Sequence, residues 1–62
     1  MNLKVHDHTT NEWIDIIKDC NFVKLVPENP SGYLIHLRRR GTNVYIVHKL
    51  TVNQARELEF LE

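Results

Sequence analysis

The 62-residue sequence has few of the residues that build membrane spans, disulfide frameworks or phosphate-binding loops. Its apolar runs are far shorter than the roughly 18 to 20 residues that cross a membrane. Cys20 is the single cysteine, which excludes an intrachain disulfide and fits a reducing compartment. Gly32 and Gly41 are the only glycines, too few for a phosphate-cradling loop. We therefore expect a soluble, cytoplasmic protein that has no signal peptide, no cofactor and no membrane partner.

The length of the chain favours one small domain over residues 1–62. At 7.4 kDa, almost every apolar side chain is needed for the core, and little is left to line a deep pocket. This argues against an enzyme. Within residues 1–8, the alternation of Leu3, Lys4, Val5 and His6 permits a short edge strand, and a flexible start is the alternative.

Charge is balanced in total but not along the chain. Eight basic residues match eight acidic ones, yet no acid occurs between Asn29 and Arg56. A neutral total argues against indiscriminate binding to polyanions. A local basic field still acts within a Debye length of roughly 8 to 10 Å. The middle of the chain is therefore where a polyanion-binding surface is expected.

The segment from Thr9 to Asn21 has the pattern of an amphipathic helix. Thr9 and Glu12 have the spacing of a capping box, and Asn21 suits the helix end. An apolar stripe at helical spacing consists of Trp13, Ile16, Ile17 and Cys20. We predict helix 1 here, with Cys20 as a buried apolar residue.

Residues 33–40 and 43–50 are two β-type runs that flank Gly41 and Thr42, after a further strand at residues 22–26. Glycine at the first central position predicts a two-residue type II′ turn, which sets the register of the hairpin. The predicted polar face pairs Arg40 with Asn43, Arg38 with Tyr45, His36 with Val47 and Leu34 with Lys49. The predicted apolar face pairs Arg39 with Val44, Leu37 with Ile46, Ile35 with His48 and Tyr33 with Leu50.

Thr51 and Gln54 repeat the capping-box spacing and predict the start of helix 2. Its apolar stripe consists of Val52, Ala55, Leu58 and Leu61. Phe60 lies off that stripe, so it is either part of a frayed last turn or a protein interface, for example in a homodimer.

These elements predict an α+β fold: a small two-layer domain of order (β)-α-β-β-β-α. In it, a three-stranded antiparallel sheet is covered on one face by two helices.

The polar face of the hairpin is the candidate binding site. Phosphates favour guanidinium and ammonium groups, and a base favours a flat aromatic partner. The predicted binding residues are Arg38, Arg40, Tyr45, Lys49, His36 and Arg39. Arg39 faces the apolar side but lies beside the turn, where its long side chain can reach water. The alternative is an ordinary solvated sheet face.

Metal binding and catalysis have little support in the sequence. His6 and His8 lie two residues apart, but no second close pair completes a tetrahedral zinc site, so we expect no metal. His48 falls among core-facing residues, so we interpret it as a neutral imidazole that has no catalytic role. We expect no catalytic residue.

The order helix, three strands, helix, with its hairpin over residues 33–49, resembles the double-stranded-RNA-binding-domain shape of the small HicA-type toxins. The resemblance covers most of the chain as element order and implies contact with RNA or DNA. In those toxins a catalytic histidine follows a glycine at the start of the second strand. Here Gly32 is followed by Tyr33 and Leu34, and His36 comes later. The resemblance therefore does not carry ribonuclease activity over.

We expect a non-catalytic binding or regulatory module that docks a polyanionic partner, either nucleic acid or an acidic protein, and nucleic acid is favoured. The alternative is a small protein-binding regulator or inhibitor of the mobile-element type, acting through helix 2 or the sheet edge. A third class is a small nuclease that uses His36 or His48, but the neighbouring acid or base is missing from the pattern.

Overall fold

The computed structural model describes residues 3–58. Its elements are, in order, β1 (Lys4–Asp7), β2 (Glu12–Asp15), β3 (Cys20–Pro27), β4 (Tyr33–Arg39), β5 (Tyr45–Leu50) and α1 (Val52–Glu57). β1 and β2 form an antiparallel hairpin, and β3, β4 and β5 form an antiparallel sheet in that order. The predicted fold class is wrong, because the described residues hold one six-residue helix and a second sheet in place of two covering helices.

The predicted helix 1 is replaced by the β1–β2 hairpin and a turn. The Asp7 carboxylate accepts hydrogen bonds from the backbone N–H and the hydroxyl of Thr9, at 2.8 and 2.6 Å, and Asn11 takes a positive φ of 62°. Thr9 is thus held in a loop that reverses the chain, and it caps no helix. Trp13 is 65% exposed, which contradicts its place in a buried stripe.

A second turn joins β2 to β3. The Asp15 carboxylate accepts the backbone N–H groups of Ile17 and Lys18, both at 2.8 Å, and the Asp19 carboxylate accepts the N–H of Asp15 at 2.8 Å. The bonds from Lys18 and Ile17 lower the pKa of Asp15, because they stabilise its charged form. Short acidic side chains satisfy the turn backbone, so the helix expected here does not form.

The β4–β5 hairpin has the predicted register. All six pairs from Tyr33 with Leu50 to Arg38 with Tyr45 are the expected ones. The turn itself differs from the prediction. The N–H of Thr42 donates to the carbonyl of Arg39 at 3.0 Å, and Gly41, with φ 78°, is the third residue of that turn. The connection is therefore longer than the predicted two-residue type II′ turn, but the same side chains face each way.

The core lies between the sheet and the elements beside it. Its buried residues are Val5, Ile14, Ile16, Cys20, Ile35, Leu37, Ile46, Leu50 and Ala55. Val5 and Ile14 come from the β1–β2 hairpin, and Ala55 comes from α1. The hairpin and the helix therefore cover one face of the β3–β4–β5 sheet, which we call the inner face.

The predicted start of helix 2 is confirmed. Thr51 is the N-cap, and its hydroxyl accepts the N–H of Gln54 at 3.1 Å, while the Gln54 side chain accepts the N–H of Thr51 at 2.9 Å. The predicted roles of Phe60 and Leu61 lie outside the described residues. Within residues 3–58, the helix α1 is too short to cross a membrane.

Candidate nucleic-acid interface

The face of the β3–β4–β5 sheet opposite the core, which we call the outer face, is open to solvent. Residues paired across an antiparallel ladder share a face, so the register assigns nine ladder positions to it. They are Asn21, Lys24, Val26, Leu34, His36, Arg38, Tyr45, Val47 and Lys49. None of the nine is buried, whereas Ile35, Leu37, Ile46 and Leu50 on the inner face are at most 3% exposed.

The outer face carries charge of one sign. Lys24, Arg38 and Lys49 are exposed cations on three different strands, and no carboxylate occupies a ladder position of this face. Asp7 and Glu12 lie at the β1–β2 hairpin and bind Arg39, whereas Asp19 and Glu28 lie in the turns directly before and after β3. The ladder positions of the outer face are therefore basic, although the total charge of the chain is balanced.

Sequence reasoning missed Lys24, and the reason is a β-bulge. Phe22 pairs with Leu37, but the ladder shifts by one residue at Val23, so Lys24 pairs with His36. Without the shift, Lys24 would pair with Ile35 and point to the core. The bulge thus delivers the third cation to the outer face. No turn residue marks it in the sequence, and only the register against β4 reveals it.

His36 and Tyr45 form a pair within the outer face. The Nδ1 atom of His36 lies 2.9 Å from the Oη atom of Tyr45, within hydrogen-bond distance, and the tautomer of the imidazole decides which atom donates. Their ring centroids lie 5.6 Å apart in an edge-on arrangement. Tyr45 keeps 46% of its surface exposed. The phenol ring is therefore both held in place and accessible.

Arg39, predicted to contact a partner, is instead engaged within the protein. Its Nη1 atom lies 2.7 Å from Oδ2 of the buried Asp7 and 2.9 Å from Oε1 of Glu12, and it also donates to the Thr10 hydroxyl at 3.2 Å. Hydrogen bonds from Thr9 and then from Arg39 hold the pKa of Asp7 far below its usual value, and Arg39 lowers the pKa of Glu12. Arg39 joins β4 to the hairpin and does not belong to the outer face.

Arg40 is also engaged within the fold. Its guanidinium donates to Oδ1 of Asn21 at 3.1 Å and to the carbonyls of Lys18 and Cys20 at 2.9 and 3.2 Å. Its backbone N–H donates to the carbonyl of Asp19 at 2.8 Å. Arg40 therefore fixes the turn before β3. Four of the predicted site residues share the outer face: Arg38, Tyr45, Lys49 and His36.

The groups considered for catalysis are separated. His48 pairs with Ile35 on the inner face, where burial lowers its pKa, whereas His36 lies on the outer face. Burial raises the pKa of the Cys20 thiol, which disfavours the reactive thiolate. His6 bonds Asn11 at 2.8 Å, and residues 3–58 hold no cluster of three or more potential metal ligands.

A shallow groove of about 640 Å³ lies at the Lys49 end of the sheet. Its lining residues are Pro30, Ser31, Gly32, Lys49, Leu50, Thr51, Val52 and Asn53. Lys49 is the single charged side chain among them, so the groove holds no acid–base pair for chemistry.

Comparison of the chain with protein-family models, with curated proteins and with solved structures gave no match. The resemblance to HicA-type toxins rested on a first helix that the structure replaces with a hairpin, so it does not extend to the fold. The geometry of the outer face is therefore the basis for the proposed function.

Proposed function

We propose that this protein is a non-catalytic binding module that docks nucleic acid on the outer face of its sheet. The observation that carries the proposal is the set of three exposed cations, Lys24, Arg38 and Lys49, on an uncovered face whose ladder positions include no carboxylate. Phosphate oxygens accept hydrogen bonds from such groups, and the positive charge of the donors strengthens those bonds. A small regulator that uses this face needs no pocket.

The cations are distributed in a way that suits a chain of phosphates. Arg38 and Leu34 lie four residues apart on β4, and Lys49 pairs with Leu34, so Arg38 and Lys49 stand roughly 13 Å apart along the strand direction. Lys24 pairs with His36, midway between them, on the neighbouring strand. One extended polyanion can therefore meet all three.

A protein partner at the sheet edge is the second candidate. β3 is an edge strand, and Phe22 and Val23 on it are 52% and 46% exposed. Exposed apolar side chains at an open edge favour association with another chain. The bulge at Val23 and the charge of Lys24 oppose regular strand addition there, so nucleic acid remains the first candidate.

The test is a binding titration with a fluorescently labelled single-stranded oligonucleotide at several salt concentrations. Three phosphate contacts give a plot of log K against log salt with a slope of about −2. The double variant Arg38→Gln/Lys49→Gln leaves one contact, and the slope should fall to about −0.7. Thermal unfolding should be unchanged, because both side chains are exposed.

The matched control is Lys18→Gln/Arg56→Gln, which removes the same charge from exposed positions away from the outer face. It should bind like the parent protein. Equal weakening in both double variants would mean that total charge alone governs binding, and no binding at low salt would reject the proposal. Binding of polyglutamate at the strength of the oligonucleotide would assign the face to an acidic protein.

A further inference from the structure

The outer face carries an aromatic pair, His36 and Tyr45, in addition to its three cations. Phosphates need only the three cations, yet Tyr45 lies directly opposite Arg38 in the ladder and is 46% exposed. The hydrogen bond of 2.9 Å to His36 restricts the rotation of that ring before any ligand arrives. A ring that is already ordered loses less conformational entropy on binding.

Each member of the pair has a cation as its cross-strand neighbour. Arg38 pairs with Tyr45, and Lys24 pairs with His36. A phosphate held by either cation therefore brings its own nucleotide next to an aromatic ring. Stacking on such a ring needs no particular base, because every base has a π-face.

The shape of the face determines which form of nucleic acid gains from this ring. In a duplex the bases are already stacked, and reading them requires an element that enters a groove. The outer face is an open sheet of three strands, roughly 10 Å across, and an aromatic ring within it can reach only bases that are unstacked.

We infer that the His36–Tyr45 pair makes the outer face selective for single-stranded nucleic acid, with one unpaired base stacked on the Tyr45 ring and the flanking phosphates on Arg38 and Lys24. This inference rests on the proposed function. The preference for single strands over duplexes comes from the ring of Tyr45, which His36 holds in place.

The experiment compares three labelled probes: a single strand of about ten nucleotides, its blunt duplex, and a heparin fragment that carries charge but no bases. The parent protein should bind the single strand more tightly than the duplex. Tyr45→Leu should weaken single-strand binding about tenfold, the scale of one base–aromatic stack, and leave duplex and heparin binding unchanged.

Two further variants identify the cause. Tyr45→Phe keeps the ring but loses the bond to His36, so single-strand binding should fall by only about threefold. Trp13→Leu removes another exposed aromatic side chain, which lies on β2 away from the outer face, and should leave binding of all three probes unchanged. Thermal unfolding of each variant checks that the fold is intact.

Equal affinity for the single strand and the duplex, or equal weakening of both by Tyr45→Leu, would overturn the selectivity while leaving the proposed function in place. Failure of the parent protein to bind any probe at low salt would overturn both. The two failures are therefore distinguishable.

Discussion

The Nη1 atom of Arg39 lies 2.7 Å from the Oδ2 atom of Asp7, and this ion pair joins the end of β4 to the end of β1. Asp7 is fully buried, and its other carboxylate oxygen accepts bonds from Thr9. A buried carboxylate needs such partners, because its charge is costly to desolvate. The contact therefore explains how a separate hairpin is attached to the sheet.

Replacing Arg39 should destabilise the fold much more than replacing the next residue along the chain. Arg39→Met keeps most of the side-chain length but leaves Asp7 without its cation, whereas Arg38 is exposed on the outer face. Arg38→Met should change the melting temperature by no more than about 4 °C. Arg39→Met should lower it by several times that amount in thermal unfolding followed by circular dichroism.

The double variant Asp7→Asn/Arg39→Met tests whether the loss comes from the unpaired carboxylate. It should be more stable than Arg39→Met alone, because it contains no buried uncompensated charge. If the double variant were less stable than Arg39→Met, the ion pair would not be the cause.

Stability should fall in acid, and Asp7 should contribute to the fall. Hydrogen bonds from Thr9 and Arg39 lower the pKa of Asp7 in the folded protein, so the unfolded chain binds a proton more readily. The stabilisation is thus present above the unfolded value of about 4 and is lost as the pH falls below it. Denaturant midpoints measured between about pH 5 and pH 2 should decrease steadily.

Asp7→Asn should be less stable than the parent protein at pH 7 and less sensitive to acid. The pKa values of Glu12 and Asp15 are lowered too, so some acid sensitivity should remain. A variant as acid-sensitive as the parent protein would show that Asp7 makes no contribution.

The sequence predicted features that depend on local chemistry. The Thr51 cap was correct because its capping box uses residues only three apart. The six β4–β5 pairs were correct although the turn type was wrong, because the four-residue loop Arg40–Asn43 keeps the same pairing of the strands as a two-residue turn within it. The sorting of Arg38 and Tyr45 to the polar face followed from that register.

The first helix was wrong because two local patterns competed. Thr9 and Glu12 fit a capping box, but the carboxylate of Asp7 binds the N–H and the hydroxyl of Thr9 and so favours a turn. Trp13 and Ile17, half of the supposed buried stripe, are 65% and 51% exposed. Whether this segment forms a helix or a hairpin depends on how it packs against a sheet that is distant in sequence. The periodicity of apolar residues does not encode that packing.

Only four of the six residues predicted for the binding surface share the outer face, for a similar reason. Faces can be assigned from a register, but the partners of long side chains cannot. Arg40 reaches back to the turn before β3, and Arg39 reaches to β1. Both contacts join residues about 20 or more positions apart. The bulge that moves Lys24 outward also depends on tertiary pairing.

The Thr51 cap should be measurable by itself. Thr51→Val keeps the shape of the side chain but removes the oxygen that accepts the N–H of Gln54, and it should cost about 1 kcal/mol. Thr51→Ser keeps that oxygen and should cost much less. The free energy of unfolding from denaturant titration compares them, and equal losses would show that the hydroxyl is not what stabilises α1.

Two glycines with positive φ should respond differently to alanine. At Gly32, φ is 91° and an added Cβ would lie 2.8 Å from the carbonyl oxygen of Leu50, which belongs to the backbone of β5. At Gly41, φ is 78° and an added Cβ meets no atom within 4 Å. Both substitutions carry the conformational cost of about 1 kcal/mol for alanine in this region. Only Gly32→Ala must also displace a strand, so it should lower the unfolding free energy clearly more than Gly41→Ala.

Denaturant titration of the two alanine variants measures this difference, since the backbone strain common to both cancels in the comparison. Gly32→Ala should also shift the amide NMR signals of residues 49–51, because its Cβ presses on Leu50. The corresponding signals in Gly41→Ala should stay in place. Equal stability of the two variants would mean that the approach of residue 32 to β5 is loose, and that the end of the sheet next to Lys49 is not held by this contact.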